Sequence, residues 1–309
     1  IAVDGMAIDI LPVDQQARAN GLMWGSKTLG ISASVAAGSW IMSHYGYFYA
    51  IVSFSFFTAI IILVPLLLRE RPGEKLLPWT NGEASKTAAK IQLHSWKGIF
   101  KSLYKVFFLP VSLMMGIAGF SFMIGRGLID TVLPVFTVQE LGWADTHYSQ
   151  IFATANLISG IGGMIIGGFL IDYFGKVKMI SIYMSLLILL IAAMSFLKSF
   201  WHNEIFVIGF IIGFYVLLTF TTIAIFASAM QLCWKRISVT QFTLYMAISN
   251  LGLAVGAAIM GQLKEFLDWE FVILCYVVFA AVMLVLIRFI NFEKHQVRVD
   301  ELEVKHLEK

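Results

Sequence analysis

Arg126 and Asp130 stand four residues apart inside an apolar stretch, GFSFMIGRGLIDTVLPVF. On a helix that spacing puts both side chains on one face, where each offsets part of the other's cost of leaving water. A lone charge at the centre of a bilayer costs about 2.5–3.5 kcal/mol or more, so such a residue faces a cavity or a partner. Two readings of the pair follow. In one it is a clasp that holds its helix to a neighbour. In the other Arg126 grips an anionic substrate group with its planar fork, and Asp130 is the counter-charge or a protonation site. Substrate competing with Asp130 for the arginine would then link binding to protonation.

Other polar side chains recur at helical spacing. Asn20, Trp24, Lys27, Ile31, Ser34 and Gly38 follow one another at steps of 4, 3, 4, 3 and 4, which is one face of a helix. Lys27 either snorkels to the interface along its aliphatic stem or, with Trp24, lines a central cavity. Gln241, Tyr245 and Ser249 form a similar stripe, with Asn250 beside it. Thr219 and Thr222 mark an inner face, where hydroxyls commonly bond their own backbone. Ser159, Gly163 and Gly167, and likewise Gly252 and Gly256, make small-xxx-small patterns that signal close helix packing. Asp4 and Asp9 are either solvated end charges or members of a gate.

Several chemistries are missing from the sequence. The six histidines share no metal-ligand spacing, and Cys233 and Cys275 lie far apart in apolar segments, so neither a zinc site nor a disulfide is expected. There is no phosphate-binding P-loop, no G-x-S-x-G and no HExxH, and no nucleophile, base and orienter that can be assembled. We therefore expect no catalytic residues, no metal and no cofactor. The net charge of +3 lies between apolar blocks, which implies no nucleic-acid partner.

The elements that must hold these residues are membrane helices. Of the 309 residues 59% are hydrophobic and 13% charged, with mean hydropathy +0.82, so the main solvent of this chain is lipid. A span needs about 20 mainly apolar residues. Eight candidates meet this, at 19–43, 47–68, 106–138, 148–171, 179–197, 205–230, 239–263 and 271–290, the third overlong and carrying Pro110 and Pro134 at turns or kinks near its ends. The opening IAVDGMAIDIL reads as the last turns of a further membrane helix whose beginning is absent.

Between the second and third candidates lies a polar segment, 69–105, with Arg69, Arg71, Lys75, Lys86, Lys90, Lys97, Lys101 and Lys105. Basic loops face the cytoplasm, and the shorter connections alternate accordingly: those around Tyr45 and Trp143 carry no Lys or Arg, whereas GKVK and CWKR do. The tail, with Lys294, Arg298, Lys305 and Lys309, is also placed inside. Lys97, Lys101 and Lys105 beside Ile99, Phe100, Leu103 and Tyr104 describe either an amphipathic helix on an anionic leaflet or a solvated linker helix. The chain thus divides into 1–68, a linker 69–105, a six-helix unit 106–290 and a tail 291–309.

The segment GGFLIDYFGKVKMI, residues 167–180, resembles the loop signature of major facilitator transporters, G-x-x-x-D-x-x-G-[R/K]-x-[R/K], through Gly168, Asp172, Gly175, Lys176 and Lys178. The resemblance implies an all-α membrane protein with the major facilitator fold, here with eight complete transmembrane helices of an expected twelve. It also implies that this loop latches a cytoplasmic gate, with Asp172 meeting the family's eleventh helix near Ser238. Residues 2–30 and 238–252 look like the branch that contains AmpG-like muropeptide permeases and acetyl-CoA transporters. That branch implies alternating-access uptake of an anionic sugar peptide or related metabolite, with protons as the coupling ion. The expected setting is the cytoplasmic membrane, as a multi-pass monomer in the lipid bilayer with Trp24, Lys27, Arg126, Asp130, Gln241, Tyr245 and Asn250 around a small-molecule substrate. An efflux antiporter is the rival within this class, although GSKTLGISASVAAG lacks the Gly-Pro pairing of antiporters; a receptor or channel is the rival outside it.

Overall fold

The computed structural model describes residues 2–67, 73, 77, 79–82 and 95–307. Arg69, Arg71, Lys75, Lys86 and Lys90 of the linker, with Lys309, lie outside the described residues.

Every regular element among the described residues is helical. In order they are α1 (Ala2–Ile10), α2 (Gln16–Tyr45), α3 (Tyr47–Leu67), α4 (Trp96–Phe107), α5 (Pro110–Gln139), α6 (Asp145–Gly162), a π-helical turn (Gly163–Gly167), α7 (Gly168–Phe174), α8 (Lys176–Phe196), α9 (Glu204–Gln231), α10 (Ser238–Phe266), α11 (Trp269–Ile287) and α12 (Phe292–Leu307). Local chemistry sets several boundaries. Pro110 opens α5 where its missing N–H is no loss. Asn203 caps α9 by accepting from the Ile205 and Phe206 amides. Gly175, at φ 89°, takes the left-handed turn between α7 and α8 that a side chain would strain. The overlong candidate resolves into α4 and α5, and Pro134 sits inside α5 rather than ending it.

Among the described residues seven helical segments are long and apolar enough to cross a membrane: Tyr47–Val64, Pro110–Gln139, Asp145–Phe174, Lys176–Phe196, Glu204–Gln231, Lys235–Phe266 and Trp269–Ile287. The remaining candidate, 19–43, is helical throughout as α2, whose 30 residues extend about 45 Å. Its Arg, Lys, Asn, Gln, Ser and Gly content leaves it less apolar than the others.

Helix α5 is the hub of the bundle, packed on α10 and α11; α8 joins α9 to α11, and α9 rests on α6. Helix α2 lies along α6, the π turn, α7 and α9, and α3 packs on α2. Much of α3 is uncovered, with Phe48 71% and Ile61 68% exposed, as suits a helix turned to lipid. The glycine patterns do what their spacing implies. A Cβ on Gly252 would lie 2.5 Å from the Phe120 carbonyl oxygen, and one on Gly168 would lie 2.5 Å from that of Ala17, so backbones touch at both seams.

The bundle has a basic end and an opposite end where carboxylates such as Glu140, Asp268 and Glu270 gather around Lys198. At the basic end α4 and α12 meet the α9–α10 turn, burying Val106, Trp234, Ile237 and Val299 with Ile99, Leu103, Leu109 and Leu302 around them. Glu303 accepts from Trp234 Nε1 at 2.7 Å and forms an ion pair with Arg236. His295 Nε2 lies 2.8 Å from the Leu232 carbonyl. The outward face of α4 carries Lys97, Lys101 and Lys105 among exposed Trp96, Phe100 and Tyr104, an arrangement suited to a membrane surface.

Candidate functional site

The site is built on α5. Gly125 and Gly127 flank Arg126, and a Cβ on either would strike α11 or α10: one on Gly125 would lie 2.9 Å from the Tyr276 ring, one on Gly127 3.1 Å from the Ala257 amide. These neighbours cover two sides of α5 and leave Arg126 and Asp130 on a partly open face, with side chains 23% and 30% exposed. Arg126 Nε donates to Asp130 Oδ2 at 3.2 Å, and the Tyr215 hydroxyl of α9 donates to Oδ1 at 3.1 Å. The Tyr276 hydroxyl of α11 is buried with no hydrogen-bond partner and lies near enough to feel both charges.

From α2, the Lys27 ammonium sits 4.2 Å from the Trp24 ring centre, and Trp24 stacks on Phe226 of α9 with centroids 4.9 Å apart and planes 6° from parallel. Lys27 is exposed, and it is close enough to Arg126 for the two cations to repel. Trp24, Lys27, Arg126 and Asp130 thus gather at one place. Arg126 is paired with Asp130 there, while Lys27 feels Arg126 as a like charge and Asp4 of α1 as an opposite one.

The stripe on α10 does not join them. Gln241 accepts from the Trp234 amide at 2.8 Å and donates to the Leu232 carbonyl at 3.0 Å, bracing the α9–α10 turn. Tyr245 reaches the Ser112 carbonyl at 3.4 Å, in the first turn of α5, about 21 Å along that helix from Arg126. Asn250 is exposed beside the level where Ser249 meets Gly119. Thr222 bonds its own helix at Leu218, as hydroxyls in apolar helices do. A cavity of about 520 Å³ opens between α2 and α6 near Trp40. No Lys, Arg, Asp or Glu lines it, and its Ser43, Ser149 and Thr154 hydroxyls bond carbonyls of their own helices.

At the basic end the loop signature is placed between helices, with one difference from the expected contact. Asp172, with its side chain 10% exposed, accepts from Arg18 Nε of α2 at 3.0 Å and does not meet Ser238. The close seat of Gly168 on Ala17 and Arg18 makes α2 its nearest neighbour. The Ser238 hydroxyl instead donates to Asp9 of α1 at 2.7 Å. Lys176 Nζ donates to Gln231 Oε1 at 2.8 Å, and Lys178 lies 5.5 Å from the Phe174 ring centre. Among the described residues no group of three His, Cys, Asp or Glu side chains is arranged to hold a metal ion.

Tyr215, Tyr276 and Arg18 were not legible as site residues. A tyrosine in an apolar helix looks like core, and Arg18 precedes the first candidate span.

A sequence model of the Major Facilitator Superfamily matches residues 1–235, about three quarters of the chain. The chain belongs to the Major Facilitator Superfamily. Its match spans α1 to α9 and so includes Lys27, Arg126, Asp130, Tyr215 and the 168–178 loop. With seven apolar rods of membrane length, this superfamily member is a multi-pass membrane transporter. No curated protein matches the chain.

Proposed function

We propose that this major facilitator transporter takes up an anionic sugar peptide or related metabolite by proton-coupled alternating access, as a monomer in the cytoplasmic membrane. The supporting observation is the Arg126–Asp130 pair on a partly open face, with Lys27 close by. Neither cation is sealed into the core, so both remain available to a carboxylate. Binding of that carboxylate to Arg126 competes with Asp130, and protonation of Asp130 frees the arginine; this is the coupling. The basic end, with Lys176, Lys178, Lys235, Arg236 and the tail, faces the cytoplasm by the positive-inside rule. Counting α2, eight rods cross the membrane, eight of the twelve in the family layout. Arg18–Asp172 and Asp9–Ser238 are gate contacts at the cytoplasmic side, since each joins the segment before residue 68 to the later helices.

The choice of a sugar peptide follows the likeness of residues 2–30 and 238–252 to muropeptide permeases. A thermal-shift screen of the purified protein tests it. Muramyl tripeptide is expected to raise Tm in a dose-dependent way, neutral disaccharides to leave it unchanged, and Arg126→Gln to abolish the shift. Stabilisation by a neutral sugar alone, or by coenzyme A esters but not by muramyl tripeptide, would contradict the assignment.

A further inference from the structure

Helix α4 presents three ridges to three different surroundings. Ile99, Leu103 and Val106 pack against Trp234 and Ile237 of the α9–α10 turn and against Val299 and Leu302 of α12. Trp96, Phe100 and Tyr104, at steps of four, form a second ridge that lies open, 74%, 63% and 66% exposed. Lys97, Lys101 and Lys105 each follow one of these rings, which sets a third ridge about 100° further round the helix, and all three are exposed. No Asp or Glu occurs between 95 and 110, and among the described residues none of the three lysines is in an ion pair.

A linker helix bathed in water gains nothing from three open aromatic rings in a row. At a bilayer surface both open ridges find a partner: the rings settle at headgroup level, and the lysines run their stems beside them and set the ammonium groups on phosphates. The backbone allows this pose. Leu109 is extended, with ψ 138°, so the helix breaks before Pro110 and α4 does not continue α5 across the membrane. Phe107 lies 5.7 Å from the Tyr245 ring centre and 3.2 Å from where a Cβ on Gly116 would be, which pins the last turn of α4 to α10 and α5.

The same helix is one wall of the seat in which the tail docks. Val106 is fully buried and Val299 is 5% exposed in that seat, so lifting α4 uncovers the apolar side of α12. We propose that α4 is a sensor of anionic phospholipid: lying on an anionic leaflet it closes the seat of α12, and on an uncharged leaflet it releases and the tail loosens. This goes beyond the transport reading and holds whatever the solute. Each lysine close to an anionic surface favours docking roughly fivefold, so three favour it about a hundredfold. Glu303 and His295 hold α12 as well, so the tail loosens without leaving.

The test places the whole protein in nanodiscs of phosphatidylcholine, alone or with phosphatidylglycerol, and follows backbone hydrogen exchange. With phosphatidylglycerol the amides of α4 are expected to exchange at least tenfold more slowly and those of α12 severalfold more slowly, with α9 unchanged. Lys97→Gln, Lys101→Gln and Lys105→Gln combined should erase both differences. Equal exchange of α4 in the two discs, or a difference that survives the triple variant, overturns the sensor. Slowed exchange in α4 with none in α12 overturns its link to the tail. Soluble glycerol phosphate added to phosphatidylcholine discs should change nothing; protection by it would show a site for free phosphate and overturn the leaflet reading. If the triple variant does not fold, the wild type decides. Raising the salt to about 1 M shrinks the screening length to about 3 Å and should remove the difference between the discs, and a difference that persists overturns the proposal.

Discussion

Replacing Gly168 by alanine should push α2 away from α7. The added Cβ would lie 2.5 Å from the Ala17 carbonyl oxygen and 2.6 Å from the Arg18 Cα, roughly 0.5–1 Å inside ordinary contact. Both neighbours are backbone, so no flexible side chain can yield, and either the whole helix moves or the contact stays overpacked. Overpacking of this kind costs about 1–3 kcal/mol, which corresponds to roughly a five- to 150-fold shift against the closed seam. Ser26 Oγ and Met164 Sδ are 3.9 Å apart across the same seam. In a background of Cys233→Ala and Cys275→Ala, cysteines at 26 and 164 joined by a short bifunctional reagent report its closure. Gly168→Ala should lower the cross-linking yield severalfold. The control is Gly30→Ala on α2, where an added Cβ meets nothing within 4 Å and the yield should hold. Equal yields for the two variants would refute the reasoning that backbone contact at this glycine sets the distance between the helices.

Asp172→Asn removes the ion pair with Arg18, but Arg18 is 55% exposed, so the loss should be no more than about 1 kcal/mol; cysteine labelling from the basic end should rise modestly, and the swap Arg18→Asp with Asp172→Arg should reverse it. Glu303→Gln should loosen α12 from Trp234 and Arg236, seen as faster trypsin cleavage of the tail with transport helices still intact. His295 makes tail docking sensitive to acid. Its Nε2 donates to Leu232, its buried Nδ1 has no partner to receive a second N–H, and burial holds its pKa below the usual 6.5. A depressed histidine contributes stability that is fully present above about pH 6.5 and is lost as pH falls through its lowered folded value, so hydrogen exchange in α12 should accelerate on acidification, and less so in His295→Gln. Cysteines at Ala144 and Val297 should label from opposite sides of the membrane, as an odd number of crossings between α5's far end and the tail requires; labelling from one side would break the topology.

Residue types alone announced the class of this protein and the charges embedded in its apolar helices. Apolar runs near 20 residues long could only be membrane helices, and Gly168, Asp172, Gly175 and Lys176 carry a signature whose backbone needs, a close approach and a left-handed turn, are met where the spacing put them. Arg126 and Asp130 were visible because charges in apolar runs are rare. Spacing says which residues share a face but not what that face meets. Hence Gln241 and Tyr245, in register on α10, turned out to brace a turn and the foot of α5. Asp172 found Arg18 rather than Ser238, because the partner of a loop is decided by how two helices cross. Tyr215 was hidden for a different reason: a phenol in an apolar helix is told apart from core only by what its hydroxyl reaches.

Uptake of muramyl tripeptide into proteoliposomes under an inward proton gradient bears most directly on proton-coupled anion transport through Arg126 and Asp130. The wild type should concentrate the peptide when the outside is acidic. Arg126→Lys keeps the charge but loses the planar fork, and without one charge-assisted hydrogen bond, about 1.5–3 kcal/mol, the half-saturating concentration should rise roughly tenfold or more. Asp130→Asn should exchange peptide across the membrane yet fail to concentrate it at any pH. Accumulation equal to the wild type in both variants across the pH range would show that the pair is a structural clasp and that substrate and proton are handled elsewhere.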